Sequence, residues 1–275
     1  MKKKQSPSEM SFLDHLEALR WHIMRTTVVI LVVATYIFIE KDFFVDVLLF
    51  GPMQPQFPTY KAFCEITQNL GLEGMFCFTS PPFELLNTKM AGQFTTHLWI
   101  AFFGGLVLSF PYAIWEIWRF IAPGLYPKER KASRGLVFVS SMLFFAGILF
   151  GYYLITPLSV QFLGNYALSA TVTNRIEVGS FIGTVTSVTL SSGLLFELPV
   201  LVYFLSKAGM VTASFMKTYR RHAIVLILVL SAIITPPDVM SQILVALPIM
   251  LLYEVSIGIA KRQEIRRNQL TQAPK

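Results

Sequence analysis

The amino-acid sequence predicts an all-α integral membrane protein with six transmembrane helices. Of the 275 residues, 54% are hydrophobic and only 14% are charged, whereas soluble domains carry about 25% charged residues. The charges are also segregated, so that several long runs approach the roughly 20 apolar residues that cross a bilayer as a helix. The alternating segments of about 10 residues that typify an outer-membrane barrel are absent. A helical bundle in a membrane is therefore the predicted class.

Six apolar runs define the spans, and no internal repeat or second domain separates them. The spans are predicted at about 22–39, 94–118, 135–156, 180–206, 222–235 and 240–259. Residues 1–275 are accordingly predicted to form a single membrane domain. The fifth run, "AIVLILVLSAII", amounts to only about 18 Å of helix. A span this short must thin the bilayer or be sheltered by its neighbours, and we expect local thinning.

The distribution of lysine and arginine predicts the orientation of the spans. Of the 23 such residues, 19 lie in the two terminal segments and in the loops after spans two and four, and four lie in the alternate loops. Because cytoplasmic loops collect positive charge, both termini are predicted to be cytoplasmic. This bias also accounts for the net charge of +7, so we expect no nucleic-acid partner. No apolar run directly follows "MKKKQSPSEM", so no cleaved signal peptide is expected.

The loop between spans one and two, residues 40–92, is predicted to fold as an outer cap over the helix ends. A loop of about 50 residues is too long for a bare connection. Turn-forming stretches such as "FGPMQPQFPTY" and "TSPPFE" support a folded segment. Both cysteines, Cys64 and Cys77, lie in this outer cap. A disulfide between them is chemically allowed outside the cytoplasm, and two free thiols are the alternative.

The sequence contains no motif for catalysis or metal binding. The four histidines are scattered without ligand spacing. No G-x-S-x-G, Walker or dinucleotide-binding pattern is present. We therefore expect neither enzymatic activity nor a bound metal or cofactor.

The stretch "SFLDHLEALRWHIMR" at 11–25 predicts an amphipathic helix that leads into span one. Asp14 and Glu17 lie three residues apart on its polar face and form a small anionic patch. Asp14 also fits a capping box with Ser11, which would give it a structural role. The alternative for the patch is an ordinary solvated helix face.

The stretch "YAIWEIWRFIAPGLYPKERK" covers the end of span two and the loop that follows it. Trp115 and Trp118 suit a membrane interface, and Pro123 with Gly124 breaks the helix. Glu129 then stands among lysine and arginine residues, which favour its ionised form. A plain surface charge is the alternative interpretation.

Glu197 lies in "GLLFELPVL", about 15 Å from the inner end of span four and hence near mid-bilayer. A charged side chain there costs about 2.5–3.5 kcal/mol on insertion scales. Its helical face also carries Gly193, Thr189 and Thr186, which are small or polar, and Pro199 disturbs the helix. The pattern predicts that Glu197 faces a wet groove or another protein's helix. A hydrogen bond inside the bundle is the alternative.

Four motifs, taken in order, resemble the TatC family, the multispan receptor subunit of the twin-arginine protein translocase. They are "HLEALR" before span one, "FIAPGLYPKER" after span two, "FELP" in span four and "TPPD" between spans five and six. The resemblance covers roughly residues 11–260. It implies a concave six-span bundle in the cytoplasmic (inner) membrane. It also implies that the chain binds signal peptides with consecutive arginines and recruits single-span TatA/TatB-like subunits. Export of folded proteins would then be driven by the proton-motive force, and a homo-oligomer is compatible with this role.

The resemblance also implies roles for individual residues. Those expected to contact signal peptides are Glu129, Glu17, Asp14, Arg20, Phe120, Pro123 and Leu125. Those expected at a docking surface for partner helices are Glu197, Thr189 and Thr186. Pro52 and Asp238 match family positions in the outer loops, and Asp238 also suits a structural cap at the start of span six.

This chain departs from the family pattern His-Leu-x-Glu-Leu-Arg before span one. Ala18 occupies the usual glutamate position, and the acid stands one residue earlier, at Glu17. On a helix this shift rotates the carboxylate by about 100°. Glu129 is therefore the stronger candidate for contact with a signal arginine. Glu116 replaces an expected neutral residue and is predicted to add to the acidic surface.

Two other classes of function compete with the receptor. A proton-coupled small-molecule carrier would use Glu197 as its proton relay, but carriers often show internal repeats that this sequence lacks. In a purely structural scaffold, the acidic patch on the inner side would have no function. The sequence favours a translocase receptor.

Overall fold

The computed structural model describes residues 12–69, 77, 83–121, 133–169, 174–235 and 239–272. The long helices are Phe12–Ile39, Gly92–Ile121, Ser133–Phe150, Val178–Phe196 and Val239–Gln272. Shorter helices are Pro58–Asn69, Thr156–Asn165, Leu198–Lys207, Ala213–Thr218 and Arg220–Ile234. There are also π-helical segments at Asp42–Leu49 and Gly151–Ile155, a 3-10 turn at Gly51–Met53, and two strands at Glu84–Leu86 and Arg175–Glu177.

Within these described ranges, five helical segments are long and apolar enough to cross a membrane. They are Leu16–Ile39, Gly92–Ile121, Gly135–Asn165, Val178–Lys207 and Ser241–Ile265, which we name spans one, two, three, four and six. The prediction of an all-α multispan membrane protein is confirmed. The fifth predicted span is the helix Arg220–Ile234, whose 15 residues extend over about 22 Å. We call it the short fifth helix.

The chain divides into two compact units, 1–45 with 94–142 and 46–93 with 143–275. In the first unit, spans one and two approach closely where span two carries Gly105. A Cβ atom built on Gly105 would lie 2.9 Å from the carbonyl oxygen of Ile30 and 2.9 Å from the Cβ of Ala34. Small residues allow this approach because helices in a membrane associate mainly by packing.

In the second unit, spans three and four are held together by a similar contact. A Cβ atom on Gly147 would lie 2.6 Å from the carbonyl oxygen of Ser192 and 2.8 Å from the Cα of Gly193. One turn further along span three, a Cβ on Gly151 would lie 2.8 Å from the Cβ of Ser192. The spacing of Gly147 and Gly151 is the small-xxx-small pattern that brings two helix backbones together.

Replacing Gly147 with valine is expected to destabilise the protein by about 1–3 kcal/mol, because the new side chain would collide with backbone that cannot rotate away. The measurement is the thermal unfolding midpoint of the purified chain in detergent. Gly183→Val is the matched control, since a Cβ there meets no described atom within 4 Å. Equal losses from both variants would mean that helix propensity, and not this contact, explains the effect.

The short fifth helix is sheltered by its neighbours in the second unit. Its Ile227 is 5% exposed and belongs to a buried apolar cluster with Val188 of span four and Ile249 of span six. Ser231, one turn further along, is fully buried. A helix too short to match the hydrocarbon thickness gains apolar contacts in this way. Local thinning of the bilayer remains a prediction.

The outer cap is folded and packs within the second unit. The buried Tyr60 hydroxyl donates to the carbonyl oxygens of Pro52, at 2.7 Å, and Pro157, at 3.1 Å. Burial raises the pKa of Tyr60 to about 12, so the hydroxyl keeps its proton at neutral pH. Thr59 also donates to the Tyr153 carbonyl. The bonds to Pro157 and Tyr153 tie the cap to the outer part of span three.

Two further features of the outer cap were not expected or were left open by the sequence. The strand Glu84–Leu86 pairs in parallel with Arg175–Glu177, which adds a two-stranded sheet to a helical protein. The ion pair between Lys89 and Glu177, at 3.2 Å, lies beside this pairing. Cys64 and Cys77 are joined by a disulfide, with their Cα atoms 4.7 Å apart.

Candidate functional site

The predicted signal-contacting residues differ in how far the structure describes them. Glu17 and Arg20 lie on the helix Phe12–Ile39 and are exposed. Asp14 lies on the same helix, but its side chain is outside the described part. Ser11, Pro123, Leu125, Glu129 and Asp238 lie outside the described residues. The amphipathic segment thus continues into span one without a break, and Glu17 is open to a ligand.

A carboxylate that the sequence placed on the surface is buried in the first unit. Glu116, near the C-terminal end of span two, is 1% exposed. His22 of span one donates to its Oε2. Tyr112 and Arg119, from the same helix as Glu116, donate to Oε1 at 3.0 and 3.2 Å. The expectation that Glu116 adds to an acidic surface is wrong, because span one covers it.

These bonds join spans one and two through polar groups. A buried carboxylate is tolerated in a membrane protein only when its oxygens are satisfied, and here donors come from two helices. Tyr112, Glu116 and Arg119 follow one another at spacings of four and three residues, so they share a helical face. This spacing could have shown that Tyr112 and Arg119 reach Glu116. His22 carried no comparable signal, because it is 94 residues away in the sequence.

Arg119 is turned back along its own helix. Besides its contact with Glu116, its guanidinium lies over the ring of Trp115, 4.8 Å from the ring centre. The side chain remains 46% exposed. The next residue, Phe120, lies edge-on to the His22 ring with a centroid distance of 6.0 Å. Phe120 is therefore the predicted signal-contacting residue that the structure brings next to the polar cluster.

A hollow that the sequence did not predict opens beside this cluster. Its volume is about 360 Å³, and its lining is mostly apolar: Trp21, Met24, Arg25, Val28, Val29 and Tyr112. Five of these side chains come from span one and begin one turn after Glu17. In the sequence, these apolar residues have the pattern of an ordinary membrane-facing helix. The hollow can be recognised only in the structure, where span two packs against them.

Glu197 lies at a break in span four, as the position of Pro199 predicted. The helix Val178–Phe196 ends just before it, and Leu198–Lys207 begins just after it. Pro199 lacks the N–H that would continue the hydrogen-bond ladder. The Glu197 residue is partly exposed, while its Oε1 is shielded from solvent. The carboxyl group therefore stands between the packed interior of the second unit and its surface.

The face formed by Gly193, Thr189 and Thr186, which precede Glu197, is open along only part of its length. A Cβ on Gly193 would meet Phe144 at 2.9 Å and Ile148 at 2.8 Å, so span three covers this part of the face. The Thr189 hydroxyl is shielded from solvent. Thr186 is partly exposed, and its hydroxyl donates to the Ile182 carbonyl at 2.7 Å.

The exposed surface next to Glu197 is apolar. Leu194, three residues before it, is 55% exposed, and Leu201, four residues after it, is 53% exposed. These leucines extend a surface suited to lipid or to a partner helix. The sequence interpretation, in which the face with Gly193 is open to a groove or a partner helix, is therefore corrected. The side that carries Leu194 and Leu201 is accessible, and the side that carries Gly193 is covered by span three.

The remaining predicted residue, Pro52, is buried in the outer cap. Its carbonyl accepts the Tyr60 bond described above, so its observed contacts are structural. Among the residues that the structure describes, no group of three or more histidine, cysteine or acidic side chains could hold a metal ion.

Several apolar spans, a folded cap and polar groups inside the helical units define a multi-pass membrane protein. Comparison with known proteins identifies its class as protein translocation. Residues 14–248 match the family described as Sec-independent protein translocase protein (TatC). The chain belongs to the TatC family, whose members are translocase subunits and not enzymes.

Individual relatives support this membership over most of the chain. The TatC of Blattabacterium sp. subsp. Periplaneta americana (strain BPLAN) is 35% identical over 258 residues, covering 94% of this chain and 97% of the relative. The TatC of Carboxydothermus hydrogenoformans is 33% identical over 253 residues, covering 92% and 93%. A crystal structure of the twin-arginine translocase receptor TatC matches with a TM-score of 0.65 and 28% identity, covering 91% of this chain and 99% of that one.

Proposed function

We propose that this chain is the receptor and core subunit of a twin-arginine translocase. It binds twin-arginine signal peptides at an acidic cytoplasmic surface and recruits single-span TatA/TatB-like subunits. The proton-motive force then drives export of folded proteins through the assembled complex. The observation that supports this most is the match to a solved twin-arginine translocase receptor over 91% of the chain. The proposal places the chain in the cytoplasmic (inner) membrane, with both termini in the cytoplasm, as the 19 lysine and arginine residues on one side predict.

The signal site is assigned to the first unit and to the loop that follows span two. Glu17 is exposed on span one, and Glu129 is the acidic residue of the "FIAPGLYPKER" motif. A carboxylate accepts two parallel hydrogen bonds from an arginine, and a lysine lacks this forked geometry. A pair of acidic residues on this surface therefore accounts for a preference for consecutive arginines. Asp14, Arg20, Pro123 and Leu125 are assigned to the same surface by the family resemblance.

The partner site is assigned to Glu197 in the second unit. The exposed Leu194 and Leu201 supply apolar contact area for a single-span helix. The carboxyl group between them supplies a hydrogen bond, and such a bond contributes about 0.6 kcal/mol on average in a membrane protein. Thr186 is assigned to the edge of this surface.

The experiment that tests the receptor function is photo-crosslinking to signal peptides that carry either RR or KK. Crosslinkers are placed at Leu16 and Ala18, which flank Glu17, and at Phe120, the first residue of the motif "FIAPGLYPKER". We expect labelling by the RR peptide to exceed labelling by the KK peptide by about tenfold, because only arginine forms forked bonds. A crosslinker at Ile66 in the outer cap is the control and should label with neither peptide. Equal labelling by RR and KK would contradict the proposal.

A further inference from the structure

The surface assigned to signal arginines lies beside a cationic side chain, Arg119, and a histidine, His22. Arg119 is one residue before Phe120, and the His22 ring packs against Phe120. An uncompensated cation here would repel an arginine-bearing peptide, since like charges a few ångströms apart repel each other more strongly near a protein surface than in bulk water. Positive charge of the protein next to the site must therefore be compensated within the protein if the site is to attract the arginines of a signal peptide.

Glu116 is placed to supply this neutralisation. Its two oxygens contact Arg119 and His22, and its burial removes it from direct contact with a peptide. The Arg119 contact, together with the stacking on Trp115, directs the guanidinium back toward residues 115–116.

We propose that Glu116 is a positioning residue that sequesters Arg119 and His22 and thereby makes the neighbouring surface selective for cationic signal peptides. Glu116 does not touch the peptide; it acts by holding Arg119. The inference rests on the proposed receptor function. It explains why a carboxylate is buried within span two. It also identifies Glu116 as a residue that sets the local charge of the signal site.

The test compares four forms of the full-length chain in lipid nanodiscs: wild type, Glu116→Gln, Arg119→Gln and the double variant. Glutamine has nearly the same shape as glutamate and retains one carbonyl oxygen as an acceptor, so Glu116→Gln removes the charge with little change in volume. The readout is the Kd for a fluorescent RR signal peptide, measured by anisotropy. Thermal unfolding midpoints are recorded in parallel to compare folding of the four forms.

We expect Glu116→Gln to weaken binding of the RR peptide by about fivefold, because Arg119 is released and uncompensated. Adding Arg119→Gln should restore binding to within about twofold of wild type. Arg119→Gln alone should bind as tightly as wild type or more tightly. The loss in Glu116→Gln should also shrink as salt is raised from about 0.1 to about 1 M, where the screening length falls from about 10 to about 3 Å.

A purely structural role for Glu116 gives a different pattern. Removing Arg119 as well would then delete a second bonding partner and could not restore binding, so absence of rescue in the double variant overturns the inference. If Glu116→Gln does not fold, the inference is tested with Arg119→Gln alone. Weakened binding of the RR peptide by a folded Arg119→Gln protein also overturns the inference. If wild type does not bind the RR peptide, the receptor function fails together with this inference. If wild type binds and Glu116→Gln binds equally well, only this inference fails.

Discussion

Replacing Glu129 with glutamine is expected to weaken binding of a twin-arginine signal peptide by about tenfold to a hundredfold. Hydrogen bonds to charged groups contribute about 1.5–3 kcal/mol, and each 1.4 kcal/mol is a factor of ten in affinity. The loss is enlarged by the neighbouring Lys128, Arg130 and Lys131, because the substitution removes the acidic residue from a segment that carries three cations, and these repel the peptide arginines. No other single substitution at the signal site is expected to cost as much.

The Glu129 prediction is measured as the Kd of an RR peptide on the full-length chain in nanodiscs. Glu65→Gln is the matched control, since Glu65 is an exposed glutamate on the outer-cap helix Pro58–Asn69 and should bind like wild type. Glu17→Gln is expected to cost less than Glu129→Gln, because its carboxylate is rotated by about 100° from the family position. Wild-type affinity in Glu129→Gln would remove that residue from the site, and a larger loss in Glu17→Gln would reverse the order of the two acids.

Replacing Glu197 with alanine is expected to reduce the amount of single-span partner that copurifies with the chain by about threefold, the loss that corresponds to about 0.6 kcal/mol. Signal-peptide affinity should stay within about twofold of wild type. The physical reason is that a polar contact inside a bilayer fixes where a partner helix docks, while the apolar contacts around it discriminate little from lipid. The two readouts separate because the signal residues are assigned to the first unit and Glu197 belongs to the second.

Two further variants sharpen the Glu197 experiment. Glu197→Gln keeps a hydrogen-bonding group, so retention of the partner by this variant would show that a hydrogen bond and not a charge is needed. Glu254→Ala is the control for loss of a glutamate, because Glu254 is 46% exposed and its observed partner is Arg220; such exposed pairs contribute only about 0–1 kcal/mol. Loss of signal binding in Glu197→Ala with partners still attached would contradict the assignment of Glu197 to partner docking.

Much of the fold could be predicted from local sequence. Span one was expected to end at 39 and ends at Ile39, and span four was expected at 180–206 and occupies Val178–Lys207. These predictions succeed because an apolar run of sufficient length has one low-energy conformation in a membrane, a helix with its backbone bonds satisfied internally. The break at Glu197 was predictable for the same local reason, since Pro199 removes a donor wherever it stands.

The polar contacts between helices could not be predicted in this way. Nothing near His22 in the sequence indicates that it reaches Glu116, and Glu116 was consequently expected on the surface. Gly193 and Thr189 were interpreted as an open face, whereas span three covers Gly193 through Phe144 and Ile148. In each case the outcome depends on which helix lies alongside, and a helical face that is small or polar suits a groove and a close helix contact equally well.

The sequence by itself determined that this is a helical membrane protein of the TatC family, because apolar length and short motifs are properties of contiguous residues. Tertiary structure alone decided which carboxyl groups are accessible. Glu17 is exposed and Glu116 is sealed, although both are glutamates near the ends of spans. The physical reason is that burial of a charged group depends on donors brought from a distant segment, and only folding places those donors beside it.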